Sequence, residues 1–192
     1  MSTEPKIGLV VMAYGTPRAT EDIEPYYTHI RRGRAPEPQQ LADLISRYDA
    51  IGGISPLASL TEAQRAALES ALEARMPGAW TVVLGQKHAY PFIEDGVATL
   101  ADAGITDAVG IVLAPHFSGF SVGEYQRRAA EAGTERGLTV HGIDHWHLES
   151  AYLDFLTAAV RDALTELPER TTVLFTAHSL PERVLENDPY PD

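Results

Sequence analysis

Short runs of consecutive apolar residues alternate along this chain with stretches whose apolar residues recur every three or four positions. Ile7 to Ala13, Trp80 to Gly85, Ala108 to Ala114, Leu138 to Ile143 and Thr172 to Thr176 are strand-length runs closed by glycine, proline or polar residues. Glu21 to Arg32 carries Ile23, Tyr26, Tyr27 and Ile30 on one helical face. Gln39 to Ala50 opens behind Pro36 and Pro38 and stops at Gly52-Gly53. Ser59-Leu60-Thr61-Glu62 reads as the capping region of a long Ala/Leu/Glu helix to Arg75, which Pro77-Gly78 ends. Phe92 to Ala103 with Gly104 as its cap, Val122 to Thr134, and Glu149 to Leu167 complete the helices. Strands joined through helices predict an α/β fold: a doubly wound (Rossmann-like) parallel sheet flanked by helices.

In such sheets ligands bind beyond the carboxyl ends of the strands, so the residues that follow each strand carry the chemistry. They are Tyr14, then Lys87 with His88, then His116, then Asp144 with His145 and His147, and finally His178 ahead of Pro181. The last histidine is expected at the end of a strand buried on both faces, Thr172 to Thr176, where it reads equally as a working group or as a polar plug that bonds the loop. Taken together these positions suggest a cleft rich in imidazole and phenol, able to handle a proton or a borderline divalent metal. A permanent metal site is not supported: no helical His-x-x-x-His exists, and His145-x-His147 reads as a surface strand end. Gly15-Thr16-Pro17 is neither a dinucleotide fingerprint nor a phosphate loop.

Composition narrows the classes. The 192 residues suffice for one buried domain or one domain plus part of another. Without cysteine the chain itself supplies no disulfide, zinc-thiolate site or iron–sulfur cluster. The polar start, Met1 to Lys6, has no signal-peptide apolar core, and no segment has the length of a membrane span, so a cytoplasmic protein without a transmembrane segment is expected. A formal charge of −12 argues against a nucleic-acid partner. Arg31, Arg32 and Arg34 form a local basic patch suited to a small anion.

The motifs Leu9 to Pro17, Tyr26 to Arg34 and Tyr48 to Leu57 resemble those of the ferrochelatases. So do Lys87-His88-Ala89-Tyr90-Pro91-Phe92-Ile93-Glu94-Asp95, Val112 to Ser118 and Ala177-His178-Ser179-Leu180-Pro181-Glu182. The resemblance covers essentially the whole chain with motifs in family order. Tyr14 and Arg31-Arg32 most resemble the monomeric branch that inserts iron into coproporphyrin III in Gram-positive bacteria. The resemblance implies a class II chelatase type of fold with its second domain incomplete, residues 1–145 forming the N-terminal domain and 146–192 the start of the second. It further implies Fe²⁺ insertion into coproporphyrin III or protoporphyrin IX in heme biosynthesis, with Fe²⁺ as substrate, no permanently bound cofactor, and loss of two pyrrole protons.

An imidazole with an ordinary pKa of about 6.5 can take up such a proton at cellular pH. His178 matches the family's catalytic histidine, and Tyr14 the residue that approaches the metal from the opposite face, so both are expected to meet the iron transiently. Arg31, Arg32, Ser55 and Tyr125 match the positions that hold the propionates, with Arg47 beside them; Lys87 and His88 match the cleft wall. Arginine forks suit carboxylates. Taken as bare sequence, Arg31 to Arg34 is a solvated helix end, Tyr26 and Tyr27 are core, Gly52 to Pro56 is a turn, Lys87-His88 is an exposed strand end, and His29 and His141 are structural. The family's chain runs on through a second domain that supplies a glutamate facing the histidine, and Glu182 and Glu186 do not match it, so a truncated chain is expected. A non-catalytic tetrapyrrole-binding fragment that needs a second domain or partner is the alternative; a short chelatase for another metal is the third reading.

Overall fold

The computed structural model describes residues 6–191, so the polar start up to Pro5, and Asp192, lie outside them. The chain divides into two compact units, Met1–Leu113 with Tyr125–Gly142, and Ala114–Glu124 with Ile143–Asp192.

The first unit is built on strands β1 (Ile7–Ala13), β2 (Trp80–Gln86), β3 (Asp107–Val112) and β4 (Thr139–Ile143). They stand in the order β2-β1-β3-β4, and β1 runs parallel to both neighbours, with Val10 opposite Val83 on one side and Gly110 on the other. Helices α1 (Ile23–Ile30), α2 (Pro38–Ala50), α3 (Leu57–Arg75), α4 (Ile93–Asp102) and α5 (Val122–Thr134) connect the strands. Successive strand residues face opposite ways, which explains why β1 is apolar throughout. Leu9 and Val11 join Val82 against Leu68 and Leu72 of α3. The alternate positions face α4: a Cβ on Gly8 would stand 2.7 Å from Leu100, and one on Gly96 of α4 only 2.8 Å from the Leu84 carbonyl oxygen. Helices therefore cover both faces, and the expected doubly wound α/β sheet is present.

Two local expectations change. The helix expected from Glu21 begins as a 3-10 turn, Thr20–Asp22, because the Asp22 carboxylate accepts the N–H groups of Arg18 and Ala19 (3.2 and 3.1 Å) and fixes the entry. The expected capping region, Ser59 to Glu62, lies inside α3, whose first residue is Leu57. Pro56 already has φ −67°, compatible with a helix, and the Ser55 hydroxyl accepts the Leu57 N–H at 3.2 Å, so the first turn forms there.

The second unit contains α6 (Ser150–Glu166) and the short α7 (Glu182–Leu185). Here the sequence expectation fails: Thr172 to Thr176 is not a strand, and Leu174 and Phe175 are 80 % and 91 % exposed. A strand buried on both faces needs a neighbouring ladder and covering helices. Among the described residues, this unit has no strand of its own beyond the last residue of β4. Helix α6 buries none of its residues, and Leu153 and Phe155 of its apolar stripe are exposed. The apolar pattern is present in both segments, but among the described residues it stays exposed. Among the described residues no helix is long and apolar enough to cross a membrane.

Candidate active site

Strand β1 is followed in the chain by β2 on one side and in the sheet by β3 on the other, so its carboxyl end is the topological switch point where open α/β sheets take ligands. Tyr14 stands there, 45 % exposed. The ladder between β1 and β2 continues past both strands: the Lys87 N–H donates to Ala13 O at 2.8 Å and the His88 N–H to Tyr14 O at 2.9 Å. Buried Gln86 folds the next loop, its backbone N–H donating to Pro91 O and its side-chain amide to Tyr90 O, both at 2.8 Å. Gly15 is required where these loops touch. Its φ is +88°, and a Cβ would lie 2.9 Å from Ala89.

These loops set the Tyr14 and His88 rings 4.7 Å apart at 55°. From α1, His29 brings its Nδ1 to 3.0 Å from the Nδ1 of His88 and stacks on Phe92, centroids 5.0 Å apart at 23°. His29 and His88, with Thr16, Tyr26, Tyr90 and Phe92, line a cavity of about 390 Å³. Beside them the Lys87 ammonium stands 5.3 Å from the ring of buried Tyr125, and the Lys87 carbonyl accepts Arg128 Nη1 at 3.1 Å.

A cluster of phenols backs the site. Tyr48 shares a 3.3 Å hydrogen bond with the Thr16 hydroxyl. Burial, then the neighbouring Tyr48 and Tyr14 and a hydrogen bond with Tyr48, push the Tyr26 phenol well above its ordinary pKa, so it stays a neutral donor. In Glu94 burial is again the largest single cause and raises the carboxyl, but the Arg128 hydrogen bonds, a backbone hydrogen bond and the Arg128 charge together outweigh it and hold the group below the usual carboxylate value.

The arginines occupy the end of α1. Arg31 lies 5.4 Å over the Tyr27 ring and donates Nε–H to the Arg34 carbonyl at 3.3 Å. Arg32, exposed, takes a left-handed backbone (φ 57°). Tyr27 and Arg47 share a hollow of about 280 Å³ on the α2 side. The first unit thus brings Tyr14, Lys87, His88 and Tyr125 into one neighbourhood and sets Arg31 and Arg47 about a single aromatic ring. Ser55 caps its own turn, and His141 meets Asp107 at 3.6 Å, which fits its structural reading.

His178 belongs to the second unit, in a loop without regular structure rather than at a strand end. Its carbonyl accepts the Tyr190 hydroxyl at 3.1 Å, while Asp188 accepts Ser118 Oγ–H and the Gly119 N–H at 3.0 and 2.8 Å. In the same unit His116 stacks on His147 at 4.6 Å, and burial, then His147, lower its pKa. Among the described residues no three histidine or carboxylate side chains are arranged to hold a metal ion.

Sequence reasoning reads His29 as structural and gives no contact to Tyr48 or to the Arg128–Glu94 pair. The apolar pattern carries no trace of them, because each acquires its partner only when α1, α2 or α5 is laid against the strand ends.

The carboxyl end of this parallel sheet thus gathers imidazole, phenol and ammonium groups at its switch point, with arginines at the end of α1. A family model described as ferrochelatase matches residues 6–192, and the chain belongs to the ferrochelatase family. It is 50 % identical over 194 residues to the coproporphyrin III ferrochelatase of Bacillus subtilis (strain 168), covering 97 % of this chain and 63 % of that protein. The coproporphyrin III ferrochelatase of Oceanobacillus iheyensis is 47 % identical over 191 residues, covering 96 % and 61 %. The chain thus spans about three-fifths of the length of these curated relatives.

Proposed function

We propose that the chain serves porphyrin metallation, inserting Fe²⁺ into coproporphyrin III with loss of two pyrrole protons, as a step of heme biosynthesis in the cytoplasm. The observation that carries this reading is the Tyr14–His88–His29 cluster at the switch point of the sheet. An exposed phenol beside imidazole suits the face of a macrocycle and the metal that enters it. In this reading Tyr14 approaches the iron, His178 accepts a pyrrole proton and meets the metal, and Arg31, Arg32, Arg47, Ser55 and Tyr125 hold propionates. Lys87 and His88 form the cleft wall. Binding a distorted ring better than a flat one exposes the pyrrole lone pairs, so the interactions that strengthen on distortion lower the barrier. The names of the relatives support the substrate, and the family match supports the reaction. Residues 1–145 act as the N-terminal chelatase domain and 146–192 as the start of the second, the protein working as a monomer.

A second reading is favoured by exposed Leu174, Phe175 and Phe155: a tetrapyrrole-binding piece that needs further polypeptide to complete the cleft. Both are tested by titrating coproporphyrin III and protoporphyrin IX against the chain, then adding Fe²⁺ anaerobically and following the porphyrin absorbance bands. Metallation abolished by His178→Ala, with porphyrin affinity retained, supports the first reading. Tight binding without turnover supports the second, and absence of binding overturns both.

A further inference from the structure

We infer that Tyr190, set in place by Asp188, is the positioning residue of the segment that carries His178. The Tyr190 hydroxyl donates to the His178 carbonyl at 3.1 Å. Among the described residues this is the one hydrogen bond made by residues 172–180, which form neither a ladder nor a helical turn. Backbone outside regular structure samples many φ/ψ combinations unless some other bond holds it. Holding that carbonyl restrains the planar peptide unit between His178 and Ser179, the piece of chain from which the imidazole hangs.

The phenol is delivered by an anchored turn. Asn187 takes a left-handed backbone (φ 63°), and the Asp188 N–H donates to Leu185 O at 3.1 Å. Asp188 Oδ1 accepts the Tyr190 N–H at 3.0 Å, a side-chain turn of the kind aspartate favours, which bends the chain back toward His178. The other carboxylate oxygen, Oδ2, accepts Ser118 Oγ–H and the Gly119 N–H. Ser118 is fully buried, and its own carbonyl accepts the N–H groups of Ser121 and Gly123 at 3.1 and 3.0 Å, so the anchor is itself held. A path of direct hydrogen bonds therefore runs Ser118, Asp188, Tyr190, His178, wholly within the second unit. The tether stands on these contacts alone; its consequence for metallation rests on the proposed role of His178, through which Tyr190 acts.

Tyr190→Phe deletes the hydroxyl and nothing else. In ¹⁵N relaxation of the full chain, the order parameters of the His178 and Ser179 amides are expected to fall from the rigid range, about 0.85, toward the mobile one, below about 0.6. The His178 carbonyl ¹³C resonance should shift with them, while the thermal midpoint stays within about 2 °C of the wild type. In metallation of coproporphyrin III, kcat is expected to drop about threefold to tenfold, as for loss of one hydrogen bond, with KM unchanged. Asp188→Asn, which weakens the turn without emptying the position, should lower kcat part of the way, and adding it to Tyr190→Phe should cost nothing further. Unchanged His178 and Ser179 amides in Tyr190→Phe, a loss seen in KM rather than kcat, or additive losses in the double variant overturn the inference and leave chelation standing. Loosened amides in Tyr190→Phe, alongside a wild-type chain that neither binds nor metallates porphyrin, overturn the functional reading alone.

Discussion

Arg128 grips Glu94 across 34 residues of sequence, its Nε–H and Nη2–H donating to the two carboxylate oxygens at 2.7 and 2.8 Å. The same guanidinium reaches the Lys87 carbonyl, so one side chain of α5 ties α4 to the loop that carries His88. Arg128→Met is expected to destabilise the chain by about 1–2 kcal/mol, the lower part of the range for charged hydrogen bonds because Glu94 is nearly half exposed. The pH dependence has a fixed sign. The folded-state pKa of Glu94 is lowered, so the pair stabilises fully above the ordinary carboxylate value of about 4.3 and is lost as pH falls through the depressed one. Denaturant melts at pH 7 and pH 3 check both: the gap between wild type and Glu94→Gln should narrow at the lower pH.

Gly15→Ala puts a methyl group 2.9 Å from Ala89 at a φ that alanine rarely adopts. A loss of about 1–3 kcal/mol is expected. Tyr14 moves with the strained peptide, so porphyrin affinity should fall more than in a surface variant of equal stability. Thermal unfolding and porphyrin titration of the same samples separate the two effects.

Phe175→Ser is expected to change stability by no more than about 0.5 kcal/mol despite deleting a phenyl ring, since Phe175 is 91 % exposed. Val10→Ala, fully buried in β1, should cost about 1–3 kcal/mol by the same measurement. If Phe175→Ser matches Val10→Ala in a urea melt, the segment is packed in solution.

His116 should titrate below the ordinary imidazole value in an NMR pH series. Burial is the larger cause and His147 the second, so His147→Gln should raise the midpoint only part of the way. An unshifted His116 midpoint in the wild type would contradict the packing of His116 on His147.

The doubly wound sheet was legible because its strands are short apolar runs and its helices keep their period, features decided within a few residues. Gly104 was equally plain: it follows α4 with φ +77°, where glycine is favoured. Thr172 to Thr176 shows the converse. Its composition is that of a buried strand, but a strand is completed by partners elsewhere, and composition cannot supply them. The contact that His29 makes is hidden for a related reason. Its place on α1 gives no hint that the next strand's exit loop will bring a second imidazole to 3.0 Å. Tyr14 and Lys87-His88 come together because strand ends converge by topology, whereas the Ser55 hydroxyl accepts the Leu57 N–H of its own helix turn.

The exposed greasy residues of α6 and of the 173–175 segment have a colloidal consequence. At neutral pH a net charge of −12 keeps copies of the chain apart by mutual repulsion. Acidifying the buffer toward charge neutrality, or raising the salt until that repulsion is screened, leaves those side chains as the dominant force between molecules. Solutions of this polypeptide should turn cloudy under such conditions while its sheet is still folded, and concentrating it calls for mildly alkaline, low-salt buffer.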